Sequence, residues 1–120
     1  MRAFKDTWFS RFADKEGITA DELKEAVSQL EAGQADANLG GDVYKVRIAR
    51  SGEGKSGGYR VVVLFKKAER AFFMYGFAKS DRGNMTQKEI RVYKELAKKY
   101  LNSTDAIINQ LVKTRKLVEI

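Results

Sequence analysis

Apolar residues recur along this chain with two periods. Near the start, Trp8, Phe9 and Phe12 fall at helical spacing and predict a short helix over Thr7–Ala13, ended by Gly17. Ahead of it, Ala3–Lys5 reads as a short edge strand. Thr19-Ala-Asp-Glu22 is a capping box, in which Thr19 and Glu22 satisfy N–H groups that a helix start leaves open. Leu23, Ala26, Val27 and Leu30 then mark one apolar face of a helix over Ala20–Glu31. A loop rich in Gly, Asp and Asn follows over Ala32–Asp42, and the period changes to two. Val43–Ala49 alternates, with Tyr44, Val46 and Ile48 on one face and Lys45 and Arg47 on the other. Tyr59–Phe65 and Ala71–Phe77 are almost continuously apolar, as expected of central strands. Ser51–Gly58 and Lys66–Arg70 link these runs, and short links favour antiparallel neighbours. Thr86-Gln-Lys-Glu89 is a second capping box. From it Ile90, Tyr93, Leu96, Ala97 and Tyr100 carry a helix to about Leu101. Thr104–Val112 reads as a further helix and Lys116–Ile120 as a tail. The order predicts an α+β fold, a curved antiparallel sheet packed with N-terminal and C-terminal helices.

Composition narrows the chemistry. A chain of 120 residues suits one domain with one core. It has no cysteine and no histidine, which removes disulfides, thiolate catalysis, the commonest general base and the commonest transition-metal ligand. No apolar stretch approaches the roughly 18 residues of a membrane span, and the N-terminus lacks the apolar core of a signal peptide, so a cytoplasmic location is expected. The net charge of +7 is unevenly spread. Residues 1–40 carry 5 basic and 8 acidic side chains, residues 41–70 carry 8 and 3, and residues 71–120 carry 10 and 5. A surplus that begins this abruptly points to a polyanionic partner, nucleic acid or acidic protein.

Ala49-Arg-Ser-Gly-Glu-Gly-Lys-Ser56 fits the loose nucleotide-binding pattern [AG]-x4-G-K-[ST]. That motif works because a helix begins directly after it and aims N–H groups at phosphates. Here a strand is expected instead, so no nucleotide cofactor is predicted. The stretch reads better as a flexible hairpin loop carrying Lys55. Lys45 and Arg47 are the sharper signal, because two residues apart on a strand they project from one face. Arg50 and Lys55 follow, and Arg60 begins the next strand, where hairpin pairing brings it near the end of the first. Like charges so crowded lower one another's proton affinity, which favours a lysine as general base, while arginines stabilise phosphate charge. Lys79, Asp81 and Arg82 follow the third strand at an end that can reach the same face. Tyr75 and Phe77 nearby suit either base stacking or the core. Asp6, Asp14, Glu16, Asp21 and Glu22 lie around helix starts and loops, where they cap or solubilise. No convergent acidic cluster of the kind a two-metal nuclease needs is apparent.

Tyr44-Lys-Val-Arg-Ile-Ala-Arg50, the Gly/Lys loop, Gly58-Tyr-Arg-Val-Val-Val63 and Phe72-Phe-Met-Tyr-Gly-Phe-Ala-Lys-Ser-Asp81 together resemble the RelE/HigB-like toxins of type II toxin–antitoxin systems. The likeness covers about residues 3–101 of a single domain and leaves about 102–120 as a C-terminal extension. It implies a microbial RNase-type fold and cleavage of messenger RNA, in the best-studied relatives on the ribosome. Attack would come from the ribose 2′-OH, with no metal or other cofactor. Carried over residue by residue, Lys45 takes the general base and Arg60 the transition-state stabiliser. Arg47 takes phosphate binding, and Lys79 or Arg82 stands in for a further arginine of the pattern; Arg50 and Lys55, from the basic patch rather than the resemblance, complete the expected substrate contacts. The chain departs from the family pattern at Ser80, where an arginine is expected, and at Met85 and Thr86, where a tyrosine is expected. The general acid is therefore unassigned. The resemblance also implies an antitoxin attached to a helix-turn-helix protein, and no membrane. A ParE-like gyrase inhibitor without catalysis, or a plain RNA- or ribosome-binding module, are the competing readings.

Overall fold

The continuous apolar runs form the middle of a six-stranded sheet. A computed structural model describes residues 1–50 and 54–120, with side chains for 1–50 and 57–120. In chain order the elements are β1 (Arg2–Asp6), α1 (Thr7–Glu16), α2 (Ala20–Glu31), β2 (Ala37–Gly40), β3 (Val43–Arg50), β4 (Gly54–Lys66), β5 (Arg70–Ala78), α3 (Gln87–Leu101), α4 (Asp105–Lys113) and β6 (Leu117–Glu119). The strands lie in the order β2-β3-β4-β5-β1-β6. β2 to β5 form an antiparallel meander, and the α+β class expected from sequence holds. The sheet is nevertheless mixed, because β1 runs parallel to β5. Between β1 and β5 the chain makes two helices and three strands, a connection long enough to permit parallel pairing. β6 pairs with the other side of β1, so the strand expected at an edge is interior.

β4 is apolar on both faces because both are covered. Val61, Val63 and Phe65 meet Phe9, Leu23, Val27 and Leu30 of α1 and α2. Val62 and Leu64 face Phe4, Phe72, Met74, Ala97, Leu101 and Ile108, the core beneath α3 and α4. Both expected capping boxes form, at Thr19/Glu22 and Thr86/Glu89. A bulge in β5 changes what the alternation of its residues implies. Val62 pairs with Tyr75 and Val63 with Phe73, leaving Met74 as an extra residue. Phe73 stays on the α1/α2 face, while Tyr75 and Phe77 turn to the α3 face. Gly76 lies beside them, and a Cβ there would stand 2.6 Å from the Phe12 ring, so glycine lets α1 lie close on β5.

Three expectations are corrected. The loop at 32–42 contains β2, which sequence pattern did not reveal because the four residues Ala-Asn-Leu-Gly are too few to carry a period within a segment rich in Gly, Asp and Asn. It is joined to β3 by a two-residue turn in which Gly41 and Asp42 both take left-handed φ values, 58° and 63°. β4 begins at Gly54, inside the segment read as a hairpin loop, so a strand stands where a phosphate-binding motif needs a helix. The C-terminal residues are part of the core rather than an appendage. Ile108 and Leu117 are fully buried, and Arg70 donates to the carbonyls of Tyr100 and Ser103 at 3.1 and 2.6 Å and to Asp105 at 2.8 Å, tying α3 to α4.

Asp6 caps α1, accepting from the Phe9 N–H at 2.7 Å, and burial pushes its carboxyl up to about 6 from an ordinary value of 3.8. The hydrogen bond from Phe9 opposes this and loses. A carboxyl that binds its proton more tightly in the folded state contributes stability that is full below the unfolded value and lost as pH rises through the folded one. With the partial exposure of Asp6 discounted for solvent screening, the loss from it alone is about 1–2 kcal/mol between pH 4 and 7.5. Asp6→Asn keeps the cap and lacks the titration. Denaturant melts of both proteins should show the wild type losing ground to Asp6→Asn over that interval. A constant difference would refute the assignment.

Candidate functional site

The basic residues converge on the sheet face that α3 shares. Arg47 pairs across β3 and β4 with Arg60, and Arg60 across β4 and β5 with Phe77. In the next row Lys45, Val62 and Tyr75 are opposite one another. Two arginines directly opposed in a sheet repel. What offsets the repulsion is Asp36, a residue the sequence did not single out. Its backbone N–H donates to Lys45 O at 2.9 Å, which fixes it beside β3 at the mouth of β2. Its Oδ1 lies 2.6 Å from Arg47 Nε, and its Oδ2 lies 3.9 Å from both Arg60 Nε and Lys45 Nζ. Lys45 Nζ also donates to Asn84 Oδ1 at 3.4 Å. The Arg60 side chain is 5% exposed and that of Asp36 14%, whereas Arg47 is 45% exposed and opens the cluster to solvent. Asp36 and Arg47 line an open cleft of about 410 Å³ with Gln29 and Gln34.

Lys45, Arg47 and Arg60 are thus brought together as the sequence implied. Arg82 reaches the same end of the sheet but is held by neighbours. It donates to both carboxylate oxygens of Glu89 at 2.9 and 2.7 Å and to Asn84 O, and its guanidinium lies 5.3 Å above the Phe77 ring. This fork, with the Thr86 backbone, holds the Glu89 carboxyl down at about 2, and Glu89 raises Arg82 further above its ordinary value. Arg82 therefore orders the turn that delivers Asn84 to Lys45. Arg50 lies on the opposite face, 5.6 Å over the Tyr59 ring, whose hydroxyl donates to Glu16. The β3 alternation places it there, two residues beyond Ile48. Lys79 is exposed in the turn after β5, its N–H donating to Gly58 O. Lys55 falls outside the described side chains. Phe77 is buried and belongs to the core, whereas Tyr75 is half-buried with its ring 4.5 Å from that of Trp8, which is exposed.

Asp36 and Asn84 were missed because each sits in a polar segment with no periodicity, and only the sheet pairing brings them to the cations. Among the described residues, no group of three or more acidic side chains is placed to hold a metal ion, and no helix is long and apolar enough to cross a membrane.

Fold and site define a small α+β protein whose sheet gathers three cations about one carboxylate. A family model, the RelE toxin of the RelE/RelB toxin–antitoxin system, matches residues 1–120, and the chain belongs to that family. It is a toxin of a toxin–antitoxin pair, with an antitoxin as its partner. The match runs through residues 102–120, which the sequence resemblance left outside. No curated protein matches the chain.

Proposed function

We propose that this protein is a metal-independent endoribonuclease that cuts messenger RNA on the ribosome in the cytoplasm and is neutralised by an antitoxin carrying a helix-turn-helix domain. The observation that carries this reading is the convergence of Lys45, Arg47 and Arg60 on one point of the sheet. A phosphodiester under attack by its neighbouring 2′-OH accumulates negative charge on its non-bridging oxygens, and preorganised guanidinium groups stabilise that charge. Arg60, nearly buried, acts in low dielectric, where such stabilisation is strongest. Arg47, more exposed, holds the RNA backbone. Lys45 is the proton-transfer group of the cluster. Arg82 supports the site through Asn84 rather than by contacting RNA, and Arg50, on the other face, takes no part.

The test is translation of a defined messenger in a purified system, with primer extension to map the ends. Cuts within translated codons, with new 5′-hydroxyl ends, are expected. Intact messenger would remove the nuclease reading, and inhibition of gyrase supercoiling would then be measured.

A further inference from the structure

The cluster holds a carboxylate to which the sequence resemblance gave no role, that of Asp36. We infer that Asp36 is the proton acceptor of the cleavage reaction and Lys45 its proton donor. This rests on the nuclease reading above and reverses the role the sequence resemblance gave Lys45.

Three observations carry it. Asp36 is bound to Arg47 at 2.6 Å and lies within ion-pair distance of Arg60 and Lys45, 3.9 Å from each, so RNA that engages these cations comes up against its carboxylate. Asp36 also lines an open cleft with Arg47, Gln29 and Gln34, so its carboxylate is reachable from solvent on the Arg47 side. Lys45 Nζ donates to Asn84 and faces Asp36, the arrangement of a proton donor. A carboxylate is ordinarily unprotonated at neutral pH and accepts a proton at once, whereas a lysine must first lose one.

In the step itself, the 2′-OH proton passes to an Asp36 oxygen as the 2′-oxygen forms its bond to phosphorus. The bond from phosphorus to the 5′-oxygen breaks, and that oxygen takes a proton from Lys45. The products are a 2′,3′-cyclic phosphate and a 5′-hydroxyl. The proton on Asp36 returns to Lys45 through water, which restores both groups. Arg47 and Arg60 keep the phosphate charge balanced throughout. The charged groups paired with Asp36 are Lys45 and Arg47 of β3 and Arg60 of β4; the uncharged Gln29 and Gln34 share one cleft with it, and Glu31, Asp42, Lys66 and Lys67 line a second.

The experiment compares wild type with Asp36→Asn on translating ribosomes, reading single-turnover cleavage, and separately reads binding of a 2′-O-methyl RNA of the same sequence, which cannot be cut. Asp36→Asn should cleave at least about 10²-fold more slowly. It should bind the 2′-O-methyl RNA as tightly as wild type or several-fold more tightly, since a negative charge has left the cationic cluster. A merely structural Asp36 would show the reverse, weaker binding with cleavage falling in proportion. Should the variant not fold, the wild-type pH profile decides. A carboxylate base gives a rate that levels off at or below neutral pH, and a lysine base gives one still climbing through the alkaline range. Unchanged or faster cleavage by Asp36→Asn, or a rate that climbs above pH 8, overturns the assignment while leaving the nuclease reading intact. No cleavage by wild type removes both.

Discussion

Arg60→Ala is expected to lower single-turnover RNA cleavage by about 10²–10³-fold, the usual consequence of deleting one preorganised donor to a developing oxyanion. Arg60 is the most buried of the three cations and lies in the row between Arg47 and Phe77. Strand pairing on both sides and Asp36 at 3.9 Å hold its guanidinium in place before substrate arrives. Arg60→Lys keeps the charge and loses the planar fork, so it should recover only part of the rate. Thermal melting separates chemistry from folding. Removing Arg60 leaves a buried space and deprives Asp36 of a partner, so the melting temperature should fall, and the rate is compared on the folded protein below that transition. Wild-type cleavage by a folded Arg60→Ala protein would take the reaction away from this cluster.

The largest effect on stability is expected from Phe72→Ala, about 3–5 kcal/mol by denaturant unfolding. Phe72 is fully buried at the junction of three elements. Its ring stacks on Phe4 of β1 at 5.0 Å and on Tyr100 of α3 at 5.2 Å. The truncation removes a contact that joins the parallel strand pair to α3, and rigid neighbours on both sides limit collapse into the space. A loss of this size is a large share of the roughly 5–15 kcal/mol that holds a typical domain folded. A loss below about 1 kcal/mol would show that the β1–β5 pairing is not packed as described.

Much of the fold was legible because its signals are local. The capping boxes at Thr19/Glu22 and Thr86/Glu89 marked two helix starts, and the apolar faces of α2 and α3 followed at helical spacing. Alternation in β3 put Lys45 and Arg47 on one side, and the same alternation puts Arg50, two residues beyond Ile48, on the other. β2 was not legible, since a strand of four residues is too short to show a period and is defined by its backbone pairing to β3. The mixed sheet was hidden for a related reason. Link lengths report on neighbours in sequence, and β1 finds β5 only across most of the chain.

The amino-acid sequence by itself determined where the capped helices α2 and α3 start, the three central strands of the meander, the absence of histidine and cysteine chemistry, and that Lys45 and Arg47 share a face. These depend on residue type and spacing over a few positions. The tertiary structure alone decided that Met74 bulges and turns Tyr75 and Phe77 toward α3, that Arg82 is tied to Glu89, and that Asp36 stands among Lys45, Arg47 and Arg60. The physical reason is that strand register and charge contacts between distant segments are set by packing of the whole sheet, which no local period in the chain encodes.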